Sequence, residues 1–147
     1  MALVDIDGVL NPYAAADCPL GFVEYRLFPS DTDITRLCAA HGDWLKELGT
    51  FYELVWVSAW GNVAHELIGS ILGVDEFPFV PMPPIPFPPA EKVPAVATYV
   101  GNRAVAWIDD ALFDEALQWA RLPPSAHAPR SGRPGDRTHP GSHRTAA

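Results

Sequence analysis

Cations, cysteines and long apolar runs are the scarce features of this 147-residue chain, and each scarcity excludes something. Only 10 Lys and Arg oppose 18 Asp and Glu. The imbalance is local: residues 1 to 120 hold 5 basic against 17 acidic side chains, a net of −12, whereas residues 121 to 147 are net +4. An acidic body argues against holding nucleic acid on a broad basic face, so nucleic acid enters only as a substrate. The two cysteines, Cys18 and Cys38, have no CxxC or metal-ligand spacing, which reads as reduced thiols rather than a disulfide framework. No apolar run is long enough to span a bilayer. The N-terminus also lacks a basic region followed by an apolar stretch and a cleavage site. The expectation is a cytoplasmic protein with no membrane partner.

Apolar residues, by contrast, make up 48% of the chain, enough for one globular domain with a sizeable core. Ala2-Leu3-Val4 is a short apolar strand ending in Asp5-Ile6-Asp7-Gly8. Phe22 to Phe28 has the aromatic and β-branched content of one arm of a hairpin flap. Ser30-Asp31-Thr32-Asp33 offers N-caps for a helix over Ile34, Leu37, Cys38, Trp44, Leu45 and Leu48, weakened at Gly42 and closed by Gly49. Phe51 to Val57 is nearly continuous in apolar residues, the pattern of a strand buried on both faces. It ends in Ser58-Ala59-Trp60-Gly61-Asn62, and a helix through Val63, Leu67, Ile68, Ile71 and Leu72 follows, with Gly73 after it.

Phe77 to Pro89 carries seven of the sixteen prolines, which excludes a central strand or helix interior. Phe79-Val80 is placed to pair briefly, and the remainder reads as a stiff loop. Glu91-Lys92 opens a short helix to Val100, where Pro94 falls in the first turn. Ala104 to Ile108 reads as a third buried strand, ending in Asp109-Asp110, and Ala111 to Ala120 as the last helix. Strands alternating with helices imply an α/β fold, an open parallel sheet flanked by helices. Residues 1 to 121 form that domain. Residues 122 to 147 are rich in Pro, Gly, Ser, Arg and His, with no periodicity, and read as a disordered tail.

Each of the three strands thus ends in polar residues suited to phosphate chemistry: Asp5 with Asp7, Ser58, and Asp109 with Asp110. A parallel sheet aligns these carboxyl ends along one edge. Four carboxylates gathered there are hard to keep ionised without a cation, and Mg²⁺ is the hard, oxygen-seeking ion that fits. Lys92 adds positive charge, and Ser58 a hydroxyl donor, toward an anionic group. Ser58 and Asp110 also suit simple N-caps, Trp60 and Trp107 suit core packing, and His65 suits a helix surface.

The motifs LVDIDGVLNP, LVWVSAW, the lysine of AEKVPAV, and AWIDD occur in that order between residue 3 and Asp110. In this the chain resembles the haloacid dehalogenase (HAD) superfamily of aspartate-nucleophile phosphohydrolases. The resemblance implies a Rossmann-like three-layer sandwich and a phosphomonoester hydrolase working through an aspartyl-phosphate. It makes Asp5 the nucleophile and Asp7 the general acid and base. Ser58, Ala59 and Lys92 contact the phosphoryl group. The Mg²⁺ ligands are Asp5, the Asp7 backbone carbonyl and Asp109, helped by Asp110. An aspartate at position 7 favours phosphoryl transfer, because a halide leaving group needs no proton.

Members with a cap domain insert it after the first motif or before the third; here those places hold only a flap with one helix and the proline-rich loop, so the resemblance implies an open site for a small or polymeric phosphoester. The fold also ordinarily adds a strand and helix after the last one recognised. Residues 122 to 147 contain no strand-forming run, which leaves the last peripheral strand missing. Two rival readings remain: a non-catalytic or degenerate HAD-like binding protein, and a receiver-like phospho-acceptor domain. Receivers phosphorylate an aspartate on a middle strand, and here the middle strand ends in Ser58.

Overall fold

The computed structural model describes residues 1–28, 33–111 and 114–122. In chain order the elements are β1 (Ala2–Val4), β2 (Val23–Tyr25), β3 (Thr35–Leu37), α1 (Ala40–Gly49), β4 (Leu54–Trp56), a π-helical segment (His65–Gly69) running into α2 (Ser70–Leu72), α3 (Lys92–Val100), β5 (Ala106–Ile108) and α4 (Asp114–Ala120). The N-cap candidates Ser30, Asp31 and Thr32, the helix residues Leu112 and Phe113, and the tail beyond Leu122 lie outside the described residues.

The main sheet is parallel, in the order β4-β1-β5. Leu3 stands beside Val55 on one side and Trp107 on the other. Successive side chains alternate between its two faces, and two cores result. Ala2, Val4, Leu54 and Trp56 pack with Leu45 of α1 and with Ile68 and Leu72. Leu3, Val55 and Val57 pack with Val96 and Val100 of α3 and Trp119 of α4. Helices therefore cover both faces of a small parallel sheet, an α/β arrangement compatible with a Rossmann-like fold.

Three expectations need correction. The helix expected from Ile34 starts only at Ala40; Thr35–Leu37 is a strand antiparallel to β2. Its buried, half-buried, buried pattern is that of a strand with one face inward. Together β2 and β3 make the flap, of which only one arm was foreseen. Gly42 is consequently no weak point in mid-helix. It lies in the first turn of α1, where a Cβ would collide with the Leu72 carbonyl, so its bareness lets the two helices meet.

The second strand is also shorter than expected. Phe51 and Tyr52 are exposed, and their N–H groups donate to the Leu48 carbonyl in the turn that ends α1. The third correction concerns β5. The sequence predicts a buried strand there, yet Ala106 and Ile108 are exposed and Trp107 is half-buried. Its outer edge has no strand partner among the described residues.

The proline-rich segment pairs as expected. Trp56 N–H donates to the Pro78 carbonyl, and Val80 N–H donates to the Trp56 carbonyl, extending the sheet beside β4. Among the described residues, no helix is long and apolar enough to cross a membrane.

In space the middle strand is β1, leading to Asp5, not the strand that leads to Ser58. The expectation that the middle strand ends in Ser58 is therefore wrong, and the reason it gave for setting a receiver aside falls with it.

Candidate functional site

The parallel alignment delivers Asp5 and Asp109 from adjacent strands to the same sheet edge, and the start of α3 delivers Lys92 between them. The Lys92 Nζ donates to Asp5 Oδ2 at 2.5 Å and to Asp109 Oδ2 at 2.7 Å. All three side chains are nearly sealed from solvent, at 11%, 5% and 0% exposure for Lys92, Asp5 and Asp109. Charge-assisted bonds of this kind are roughly twice as strong as neutral ones. Here they hold in place charges whose burial is otherwise costly.

Backbone donors complete the setting. Asp5 Oδ1 accepts the N–H of Ile6 at 2.7 Å, and Asp109 Oδ1 accepts that of Ala111 at 2.9 Å. The second of these makes Asp109, not Asp110, the residue that organises the turn after β5.

Two carboxylates share one ammonium, so the group carries an excess negative charge in a dry place. Burial pushes the Asp5 carboxyl up to about 6, against the lowering hydrogen bond and charge of Lys92, and the Asp109 charge adds to the rise. Burial works to lower the Lys92 ammonium, but the hydrogen bonds and charges of Asp109 and Asp5 outweigh it and leave it raised. A second cation beside these oxygens relieves the excess.

The donor set fits such a cation. Asp5, Asp109 and Asp110 each offer one carboxylate oxygen, and the three oxygens lie within 4.8 Å of one another. Hard oxygen donors, partly exposed at Asp110, suit Mg²⁺ with retained water. Gly8 makes the approach possible. Its φ of +80° turns the chain after Asp7, and a Cβ there would overlap the Asp110 carboxylate.

The Asp7 carboxylate stands apart from this cluster. Its Oδ1 accepts from Asn11 Nδ2 at 2.7 Å, and its Oδ2 accepts from Trp60 Nε1 at 2.9 Å. It faces the same cavity of about 740 Å³, whose lining includes Asp5, Asp7, Ser58, Ala59, Lys92 and Asp110. Six of the seven residues singled out from the sequence thus line one cavity. The seventh, Asp109, is outside that lining, its side chain buried and bonded to Lys92. Ser58 is 2% exposed. It is separated by the Ala59–Asn62 turn from the helix that starts at Val63, so it does not stand at the N-cap position expected of it.

Three contributors escaped the sequence reading. Trp60 and Trp107, assigned to packing, each give an indole N–H to a site carboxylate; Trp107 Nε1 reaches Asp109 Oδ2 at 3.1 Å. That pair was accessible, since residues two apart on a strand share a side. Asn11, buried at 4% exposure, donates to Asp7 while its Oδ1 accepts the Arg36 N–H at 2.9 Å. It thereby ties the flap strand β3 to the acid. No local signal distinguishes that asparagine from an ordinary Asn-Pro turn. No protein-family model matches this chain, and neither a curated protein nor a solved structure matches it.

Proposed function

We propose that this chain is a Mg²⁺-dependent phosphomonoester hydrolase of the HAD type, acting through an aspartyl-phosphate on Asp5. The observation that carries the reading is the cluster at the sheet edge. Two buried carboxylates from neighbouring strands share Lys92, a third lies within 4.8 Å, and Asp5, Lys92 and Asp110 border an open cavity.

In this reading a carboxylate oxygen of Asp5 attacks phosphorus, and the bond to the leaving oxygen breaks. Asp7, oriented by Asn11 and Trp60, acts as the general acid and passes a proton to that leaving oxygen. Asp7 then takes a proton from a water whose oxygen attacks the same phosphorus. The Asp5–phosphate bond breaks, and inorganic phosphate departs. Splitting hydrolysis this way replaces one hard step with two easier ones. Lys92 lies against Asp5 and Ser58 lines the cavity wall; both suit contact with phosphoryl oxygens. Mg²⁺, held by Asp5, Asp109, Asp110 and the Asp7 carbonyl, supplies further neutralisation of those oxygens when bound.

Hydrolysis of a generic aryl phosphate with and without Mg²⁺ tests the proposal. Turnover is expected only with the metal. Asp5→Asn should lower it by at least ~10³-fold, and Asp7→Asn by roughly 10²-fold or more. Full activity in Asp5→Asn, or indifference to a chelator, overturns the reading.

One observation favours a second reading. Asp5 ends the central strand of the sheet, the station a receiver-type phospho-acceptor uses. A small phosphodonor that labels Asp5 once, without continued phosphate release, favours the acceptor; steady release favours the hydrolase.

A further inference from the structure

The mouth of the cavity differs in chemistry from its floor. The ionic groups lie at the sheet edge, whereas the wall beyond Asp7 is aromatic and apolar. Phe28 stacks on Trp60, with ring centroids 5.8 Å apart and planes 29° apart. The indole N–H of Trp60 is engaged by Asp7, which fixes the ring at the boundary between the two zones. Ile85, 72% exposed, and Tyr13, 58% exposed, stand on the same cavity lining. Apolar side chains exposed around a concavity beside an ionic floor are the arrangement of a ligand pocket.

Charge narrows the choice further. Among the described residues, the lining carries Asp5, Asp7, Asp33 and Asp110 against the single cation Lys92. Once a phosphoryl group occupies Lys92, none of the described lining side chains is left to pair with a second anionic group. Leaving groups bearing further phosphates or carboxylates meet Asp7 and Asp33 and are repelled.

We infer that the Phe28–Trp60 stack is a leaving-group subsite, and that the substrate class is a phosphomonoester of an uncharged, planar aromatic alcohol. The inference rests on the hydrolase reading above and adds a specificity to it. The ring of such a substrate lies against the stack, one or two bonds from the oxygen that Asp7 protonates. Phe28 is a specificity residue, not a catalytic one.

The test compares benzyl, cyclohexylmethyl and 2-hydroxyethyl phosphates, all with alkoxide leaving groups, so leaving-group basicity is similar throughout. Wild-type kcat/KM should favour benzyl over 2-hydroxyethyl phosphate by roughly tenfold or more, and benzyl over its saturated analogue by a smaller factor. Phe28→Ala should collapse the benzyl-to-hydroxyethyl ratio toward one, and Ile85→Ser should lower it partially. In the Asp5→Asn background, titration with phosphonates gives a readout without turnover: benzylphosphonate should bind more tightly than methylphosphonate, and adding Phe28→Ala should erase that difference. Turnover of all three esters without preference, or a ratio unmoved by Phe28→Ala, overturns the subsite and leaves the hydrolase standing. Equal rates for benzyl and cyclohexylmethyl phosphate overturn the planar requirement. No turnover of any ester removes the hydrolase reading, and this inference with it.

Discussion

The two neighbours of β1 pair with it in the same way yet live in different surroundings. Both β4 and β5 are three-residue parallel strands aligned residue for residue with Ala2, Leu3 and Val4. Leu54, Val55 and Trp56 are all buried, and the Phe79 segment pairs beyond them. On the other side Ala106 and Ile108 are exposed. An apolar strand is therefore buried by what covers it and not by its own composition. The consequence for the site is that Asp109 arrives on the thinly covered strand. Its position depends on polar ties to Lys92, Trp107 and Ala111, whereas Ser58 follows a strand that is buried along its whole length.

The most severe way to break the comparison is to cut into each strand's apolar side chains. Trp56→Ala, at 1% exposure, should cost about 3–5 kcal/mol of unfolding free energy in urea titration. Ile108→Ala, at 41% exposure, should cost less than about 1 kcal/mol. Equal losses would show that β5 is covered as well as β4.

Next in size is the tie itself. Lys92→Met leaves Asp5 and Asp109 facing each other without their shared cation. Removing one partner of a buried ion pair should cost about 3 kcal/mol at pH 7, and Mg²⁺ should restore part of it. A variant as stable as wild type, with no response to Mg²⁺, means the two carboxylates do not depend on that ammonium.

Acidity sharpens the same point. With its carboxyl raised from 3.8 to about 6, Asp5 holds a proton more tightly in the fold than in the unfolded chain. Between those values the native state binds more protons, so metal-free stability falls as pH rises through the window and levels off above it. Ionised Asp5 is also what Mg²⁺ needs, so the rise in Tm on adding Mg²⁺ should be larger at pH 7.5 than at pH 4.5. In Asp5→Asn the contribution should vanish at both values. A Mg²⁺ effect that is equal at the two pH values in wild type contradicts this.

The smallest expected effect comes from a single indole N–H. Trp107→Phe removes the donor to Asp109 Oδ2 and should cost about 1 kcal/mol of stability. It should also weaken Mg²⁺ binding by roughly tenfold, the usual penalty for disturbing a group that orients a ligand. Unchanged affinity, measured by calorimetric titration, would assign Trp107 to packing against Trp119, whose ring lies 6.1 Å away edge-on.

The legibility of the site followed the same division. Asp5 and Asp7 were readable because an apolar run stops at a glycine, and Gly8 does take positive φ. Asp109 and Lys92 were readable as strand-end and helix-start residues; parallel pairing sets Asp109 beside Asp5, and the packing of α3 on the sheet brings Lys92 to both. Thr35–Leu37 was misread because three residues are too few for periodicity to separate strand from helix, and its pairing partner lies twelve residues upstream. Trp60 and Asn11 were unreadable because their partners depend on where a turn and a flap come to rest.

Composition and apolar patterning by themselves determined an α/β domain with acidic residues at the strand ends, since burial of apolar faces requires that alternation of strands and helices. Only the tertiary structure decided the spatial order of the strands, the exposure of β5, and the partners of each carboxylate. Those properties depend on which surfaces meet across the sheet and on hydrogen bonds between residues distant in the chain, and neither is encoded in any one local stretch.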